Sequence, residues 1–90
     1  MLSKMTETRR VAITVADLRL GNEPLRMGEW GVEPGDSVDA GEVLAELICP
    51  GLSLELPAPA TGIVVELCRA PEQTVHVGDI VGWIETTPTE

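Results

Sequence analysis

The chain has no phenylalanine and no tyrosine, and Trp30 and Trp83 are its only aromatics. Any core must therefore be aliphatic. Leu, Ile and Val supply 25 of the 90 residues, which is too much apolar content for a disordered chain. Basic residues are also scarce, with 6 Lys and Arg against 15 Asp and Glu for a net charge of −9. Without a basic patch to neutralise phosphates, nucleic acid is excluded as a partner. No apolar run approaches the roughly 18 residues that read as a membrane span, and residues 1–10 hold no apolar signal core. Membrane attachment is thus unsupported, and the chain reads as cytoplasmic. Cys49 and Cys68 are too few for a disulfide framework and lack the spacing of a zinc site. Lysine is limited to Lys4.

Helical periodicity is missing as well. Short β-branched or Leu-rich runs alternate with Gly, Pro, Asp and Asn, the pattern of an all-β domain. Strands are expected near residues 11–16, 26–32, 37–38, 43–48, 52–56, 63–69, 74–75 and 80–85. They form one domain over residues 11–86, between polar tails at 1–10 and 87–90.

An internal repeat organises these strands. When Gly41 is laid on Gly78, 37 residues on, Glu29-Trp30 fall on Glu66-Leu67, Pro34 on Pro71 and Val38 on Val75. Gly41-Glu42-Val43-Leu44 then fall on Gly78-Asp79-Ile80-Val81, and Leu47 on Ile84. Two copies are too few for a solenoid. They predict a closed pair of halves, each giving alternate strands to two packed sheets: a flattened barrel of two four-stranded antiparallel sheets with a pseudo-two-fold axis.

The middle of the chain reads as a hairpin whose tip is Cys49-Pro50-Gly51-Leu52. Pro at i+1 and Gly at i+2 suit a type II turn, because Pro fixes φ near −65° and Gly accepts the positive φ that follows. Pairing Cys49 with Leu52 sets Leu47 opposite Leu54, Ala45 opposite Leu56, and Glu46 opposite Glu55 on the other side of the ribbon. The expected core is Val43, Ala45, Leu47, Leu52, Leu54, Leu56, Ile63, Val65, Leu67, Ile80, Gly82 and Ile84. Leu44 and Ile48 flank Glu46 on the opposite face. Trp83 shares the parity of Glu85, which leaves it partly exposed.

No constellation for catalysis assembles from these residues. Cys49 has no Lys or Arg nearby in the chain to favour a thiolate, and it reads as a small buried hydrophobe at the rim. Cys49 and Cys68 have opposite parities, which argues against a disulfide between them. His76, the single histidine, reads as a solvated turn residue without a nucleophile to activate or further ligands to complete a metal site. Glu46 and Glu55 on an open sheet face stay solvated and ionised.

The run of Glu33-Pro34-Gly35-Asp36-Ser37-Val38, Gly41-Glu42-Val43-Leu44-Ala45-Glu46, Leu56-Pro57-Ala58-Pro59 and Gly62 resembles the biotinyl/lipoyl attachment domain family. The resemblance spans about residues 11–86, with Val15-Ala16-Asp17-Leu18 similar to the first-strand motif of lipoyl domains. It implies a flattened barrel whose hairpin between the fourth and fifth strands carries a modified lysine. Lipoate or biotin on that lysine is a swinging arm serving 2-oxo acid dehydrogenases or biotin-dependent carboxylases. Residue-by-residue alignment places Gly51 at the lysine position, so Pro50-Gly51 stands for the usual Asp-Lys.

Scaffold kept and handle lost is the reading that follows. It implies a non-catalytic domain with no covalent cofactor and no metal, serving as a docking or assembly module of a larger enzyme complex. The alternative is a true swinging-arm carrier, whose lysine is absent. Lipoyl-like domains of efflux adaptors usually carry an inserted helical hairpin, and none is present. Glu29, Glu33, Asp36, Asp39, Glu42, Glu46, Glu55 and Glu66 fall in a stretch without a base. A protein partner is expected at Leu44, Glu46, Ile48, Glu55 and Trp83, steered by charge and anchored by apolar side chains.

Overall fold

The computed structural model describes residues 8–17 and 24–86, and Lys4, Leu18 and most of both expected tails lie outside that range. Eight strands form: β1 (Arg9–Thr14), β2 (Leu25–Trp30), β3 (Ser37–Val38), β4 (Val43–Cys49), β5 (Leu52–Pro57), β6 (Gly62–Leu67), β7 (Thr74–Val75) and β8 (Ile80–Thr86). They make two four-stranded antiparallel sheets, ordered β1-β8-β6-β3 and β5-β4-β2-β7. The all-β expectation holds, with the sheets facing each other as a flattened sandwich. The first strand starts earlier than expected, because Arg9 and Arg10 pair with Thr86 and Glu85. Arg10 also forms an exposed ion pair with Glu85 at 3.8 Å.

The 37-residue repeat carries through to the pairing at three positions, while Glu66↔Trp83 has no counterpart between β2 and β4. Arg26↔Ile48, Met27↔Leu47 and Trp30↔Ala45 between β2 and β4 become Ile63↔Glu85, Val64↔Ile84 and Leu67↔Gly82 between β6 and β8. Turn hydrogen bonds follow suit: Gly41 N donates to Ala58 O at 2.9 Å, and Gly78 N to Val15 O at 2.8 Å. Carboxylates cap both loops, with Asp39 N donating to Glu42 Oε1 and His76 N to Asp79 Oδ2. Gly41 and Gly78 share a φ of +89°, which explains why glycine recurs there.

The sheets bury Ile13, Val15, Leu25, Met27, Val38, Leu44, Ala45, Leu47, Leu56, Val64, Val75, Val81 and Ile84 between them. Ala45, Leu47, Leu56 and Ile84 are as expected. Val43, Leu52, Ile63 and Ile80, also assigned to the core, are exposed. Two bulges account for the first and last of these. Register shifts between Val43 and Ala45 and across the equivalent stretch of β8 insert a residue into the alternation. Neighbours Leu44 and Ala45, and likewise Val81 and Gly82, then both face inward, while Val43 and Ile80 turn out. Leu52 sits beside the hairpin tip, beyond the cover of the facing sheet. Leu54, Val65 and Leu67 are half-buried.

Candidate functional site

The β4–β5 ribbon has the register expected of it: Cys49↔Leu52, Ile48↔Ser53, Leu47↔Leu54, Glu46↔Glu55 and Ala45↔Leu56. Gly51 takes a φ of +76°, the positive value a type II turn requires at i+2. Pro50, Gly51 and Leu52 are exposed, and a Cβ built on Gly51 would meet no atom within 4 Å. The tip is therefore open, so a longer side chain there would have room but a strained backbone. Cys49, immediately below, is buried.

Behind the tip, Glu46 and Glu55 are exposed and directly opposed, and Ser53 Oγ donates to Glu46 Oε1 at 3.3 Å. Ile48 is half-buried beside them and Trp83 is half-buried on the other sheet, where it faces Ala12 and Glu66. Leu44 is the exception among the residues assigned to this surface. It is fully buried, because the Val43–Ala45 bulge reverses its side.

The acid-rich stretch does not gather on one face. Asp36 Oδ2 accepts from Glu33 N at 2.9 Å and Glu42 Oε1 from Asp39 N at 3.0 Å, so both are turn caps. Glu66 belongs to β6, in the opposite sheet. Strand pairing also brings in a cation that the linear stretch conceals: Arg26 lies opposite Ile48 and is ion-paired to Glu72. What remains acidic on the outer face of β2, β4 and β5 is Glu29, Glu46 and Glu55.

A feature absent from the sequence reading lies on this same face. A shallow groove of about 390 Å³ is lined by Gly28, Glu29, Gly31, Val43, Glu46 and Ile48, with Leu44 and Ala45 beneath. Glycine inside a strand, at Gly28 of β2, was the available signal, since such a position often marks a close approach or a gap.

Other candidates are structural. His76 is exposed in its turn, with Nδ1 3.7 Å from Asp79 Oδ2. Burial, with Glu66 adding to it and Arg69 opposing, pushes the Cys68 thiol above its ordinary range, which disfavours the thiolate. Among the described residues, no three His, Cys, Asp or Glu side chains converge as a metal site would need. No helix among them is long and apolar enough to cross a membrane.

Comparison with known proteins agrees with this geometry. The family model described as biotin-requiring enzyme, covering biotin and lipoyl domains, matches residues 13–84. The chain is 38% identical over 58 residues to the dihydrolipoyllysine-residue succinyltransferase component of a 2-oxoglutarate dehydrogenase complex from Bacillus subtilis, covering 64% of this chain and 14% of that protein. It is 35% identical over 66 residues to the lipoamide acyltransferase component of a branched-chain alpha-keto acid dehydrogenase complex from Pseudomonas aeruginosa, covering 73% and 15% respectively. A Haemophilus influenzae succinyltransferase component is 30% identical over 76 residues, 84% of this chain and 19% of that protein. The chain thus spans less than a fifth of the length of these relatives. With the matched residues running from the middle of β1 to β8, through both sheets and the hairpin between them, the chain belongs to the biotin/lipoyl domain family.

Proposed function

We propose that this domain carries no lipoyl or biotinyl arm and acts instead as a non-catalytic, cytoplasmic docking or assembly module of a multienzyme complex. The observation that carries the reading is the hairpin tip, where Gly51 occupies the exposed position of a well-formed turn and the chain's sole lysine is Lys4. An amide-linked arm needs a primary amine, and no side chain from residue 8 to residue 86 has one. The relatives' names place them in 2-oxo acid dehydrogenase complexes, which supports a protein partner in a comparable assembly.

The partner-facing surface combines Glu46 and Glu55 with half-buried Ile48, and Trp83 offers a second anchor on the other sheet. Leu44 contributes nothing from the core. Exposed carboxylates steer a basic partner, and that steering is screened within about 8–10 Å at physiological ionic strength. The test is to capture partners from lysate on the immobilised domain and follow binding at two salt concentrations. Association should slow as salt rises and when Glu46 and Glu55 are replaced by Lys, whereas Ile48→Ser should mainly speed dissociation. A partner indifferent to salt and to all three substitutions would reject this surface.

A further inference from the structure

The two halves of the sandwich treat one pair of outer positions differently. In the first half, Gly28 and Glu46 leave the groove on β2 and β4 open. Their equivalents 37 residues on, Val65 and Trp83, are both half-buried and put an aliphatic side chain and an indole at the same places. Gly31 and Ile48 correspond to Cys68 and Glu85. The second half therefore displays, at the equivalent positions of its own strand pair, larger side chains that are half removed from water. Position 28 cannot carry one, since a Cβ on Gly28 would lie 2.9 Å from Glu46 O and 3.3 Å from Ile48 Cδ1.

We infer that the β2/β4 groove receives one aromatic side chain from a partner protein, flanked in the partner's sequence by Lys or Arg. The apolar part of the fit comes from Val43 and Ile48, on either side of the stretch of β4 whose Leu44 and Ala45 side chains turn into the core. The charge requirement comes from Glu29 and Glu46 on the groove's rim, with no cation among its lining residues. Arg26, the nearest base along β2, is held by Glu72. An aromatic anchor with a cation beside it is a common form of interface hot spot. A second copy is the wrong occupant, because it would bring another charge of −9 against the same rim. The inference rests on the docking role proposed above and names the chemistry of its partner.

The test uses the whole chain, labelled with nitrogen-15, titrated with acetyl-Lys-Trp-Lys-amide and separately with acetyl-Glu-Trp-Glu-amide. Saturable amide shifts are expected at Gly28, Gly31 and Val43 to Ile48 with the basic peptide, and at least about tenfold weaker binding of the acidic one. Glu46→Trp copies Trp83 and should weaken the basic peptide about tenfold while leaving the rest of the spectrum in place. Glu46→Gln, which cannot fill the groove, should weaken it less. Shifts scattered over both sheets, equal affinity for the two peptides, or binding unaffected by Glu46→Trp would overturn the inference. So would a concentration-dependent dimer in sedimentation that masks the groove. Attachment of lipoate or biotin to the domain would end the docking role while leaving these shifts intact, so the two failures are separable.

Discussion

Leu47 and Ile84 hold the same place in the two halves, each fully buried and each opposite an apolar residue of an edge strand, Leu54 or Val11. One position earlier the halves diverge: Glu46 faces Glu55, whereas Trp83 faces Ala12. The divergence continues at Gly28 against Val65 and at Gly35 against Glu72. Inward positions such as Leu47 and Ile84 are tied to a shared core and keep their character in both copies. Outward positions such as Glu46 and Trp83 are not held by that core, so they are free to differ between the copies. The same contrast applies to the hairpin tip, where the turn is fully built and Gly51 at its exposed position has no side chain to present.

Truncating the shared core should give the largest effects. Leu47→Ala and Ile84→Ala should each cost about 2–5 kcal/mol, by lost burial and the cavity left behind, and should agree within about 1 kcal/mol if the halves are energetically equivalent. Urea unfolding of the two variants measures this. A large gap between them would break the symmetry of the core.

Next comes a position where the copies differ inside the sandwich. Leu25 carries a buried side chain, but its equivalent Gly62 would place a Cβ 2.3 Å from Glu85 O. Gly62→Ala should therefore cost about 2–3 kcal/mol, because backbone must move. Thermal unfolding checks it, and a neutral result would show that β6 and β8 are spaced as β2 and β4 are, where Leu25 is accommodated.

Glu72 should give a smaller effect of opposite sign. It is the one non-glycine with positive φ among the described residues, at +78°, where its equivalent Gly35 takes +100°. Glu72→Gly relieves roughly 1 kcal/mol of left-handed strain and loses an exposed ion pair with Arg26 worth less than that. A net gain of about 0.5 kcal/mol is expected in the same denaturation assay.

The smallest expected effect distinguishes the cysteines. Because burial and Glu66 raise the folded-state pKa of Cys68, its alkylation should be slower than that of an unfolded control at mildly alkaline pH. Its contribution to stability is complete below the ordinary thiol range and is lost as pH climbs from there through the raised folded value. Iodoacetamide rates against pH, read by peptide mass, report the shift. A profile matching the unfolded control would remove it.

Much of this molecule is legible in its sequence. The repeat at Gly41 and Gly78 predicts the equivalence of the halves, and Pro50-Gly51 fixes the register from Cys49–Leu52 to Ala45–Leu56. The bulges are not legible. No residue type at Val43 or Ile80 marks an extra residue, and one such insertion exchanges the sides of Val43 and Leu44. The distribution of charge was hidden for a different reason. Linear spacing cannot show that Arg26 lies opposite Ile48, or that Asp36 and Glu42 spend their carboxylates on backbone N–H groups. Hence the candidate surface shrinks from eight acids to those on one sheet, and the groove beside Gly28, which only the glycine in β2 hints at in the sequence, takes its shape from packing.

The most direct test of a scaffold retained without its attachment point is the intact mass of the chain after co-expression with lipoate ligase, and separately with biotin ligase. Gly51→Lys serves as the paired variant, with about 1 kcal/mol of turn stability lost to the positive φ. The account predicts no added mass between residues 8 and 86 in the natural sequence, and a lipoyl or biotinyl increment at residue 51 in the variant. An increment mapped by fragmentation to any residue from 8 to 86 of the natural chain would contradict it.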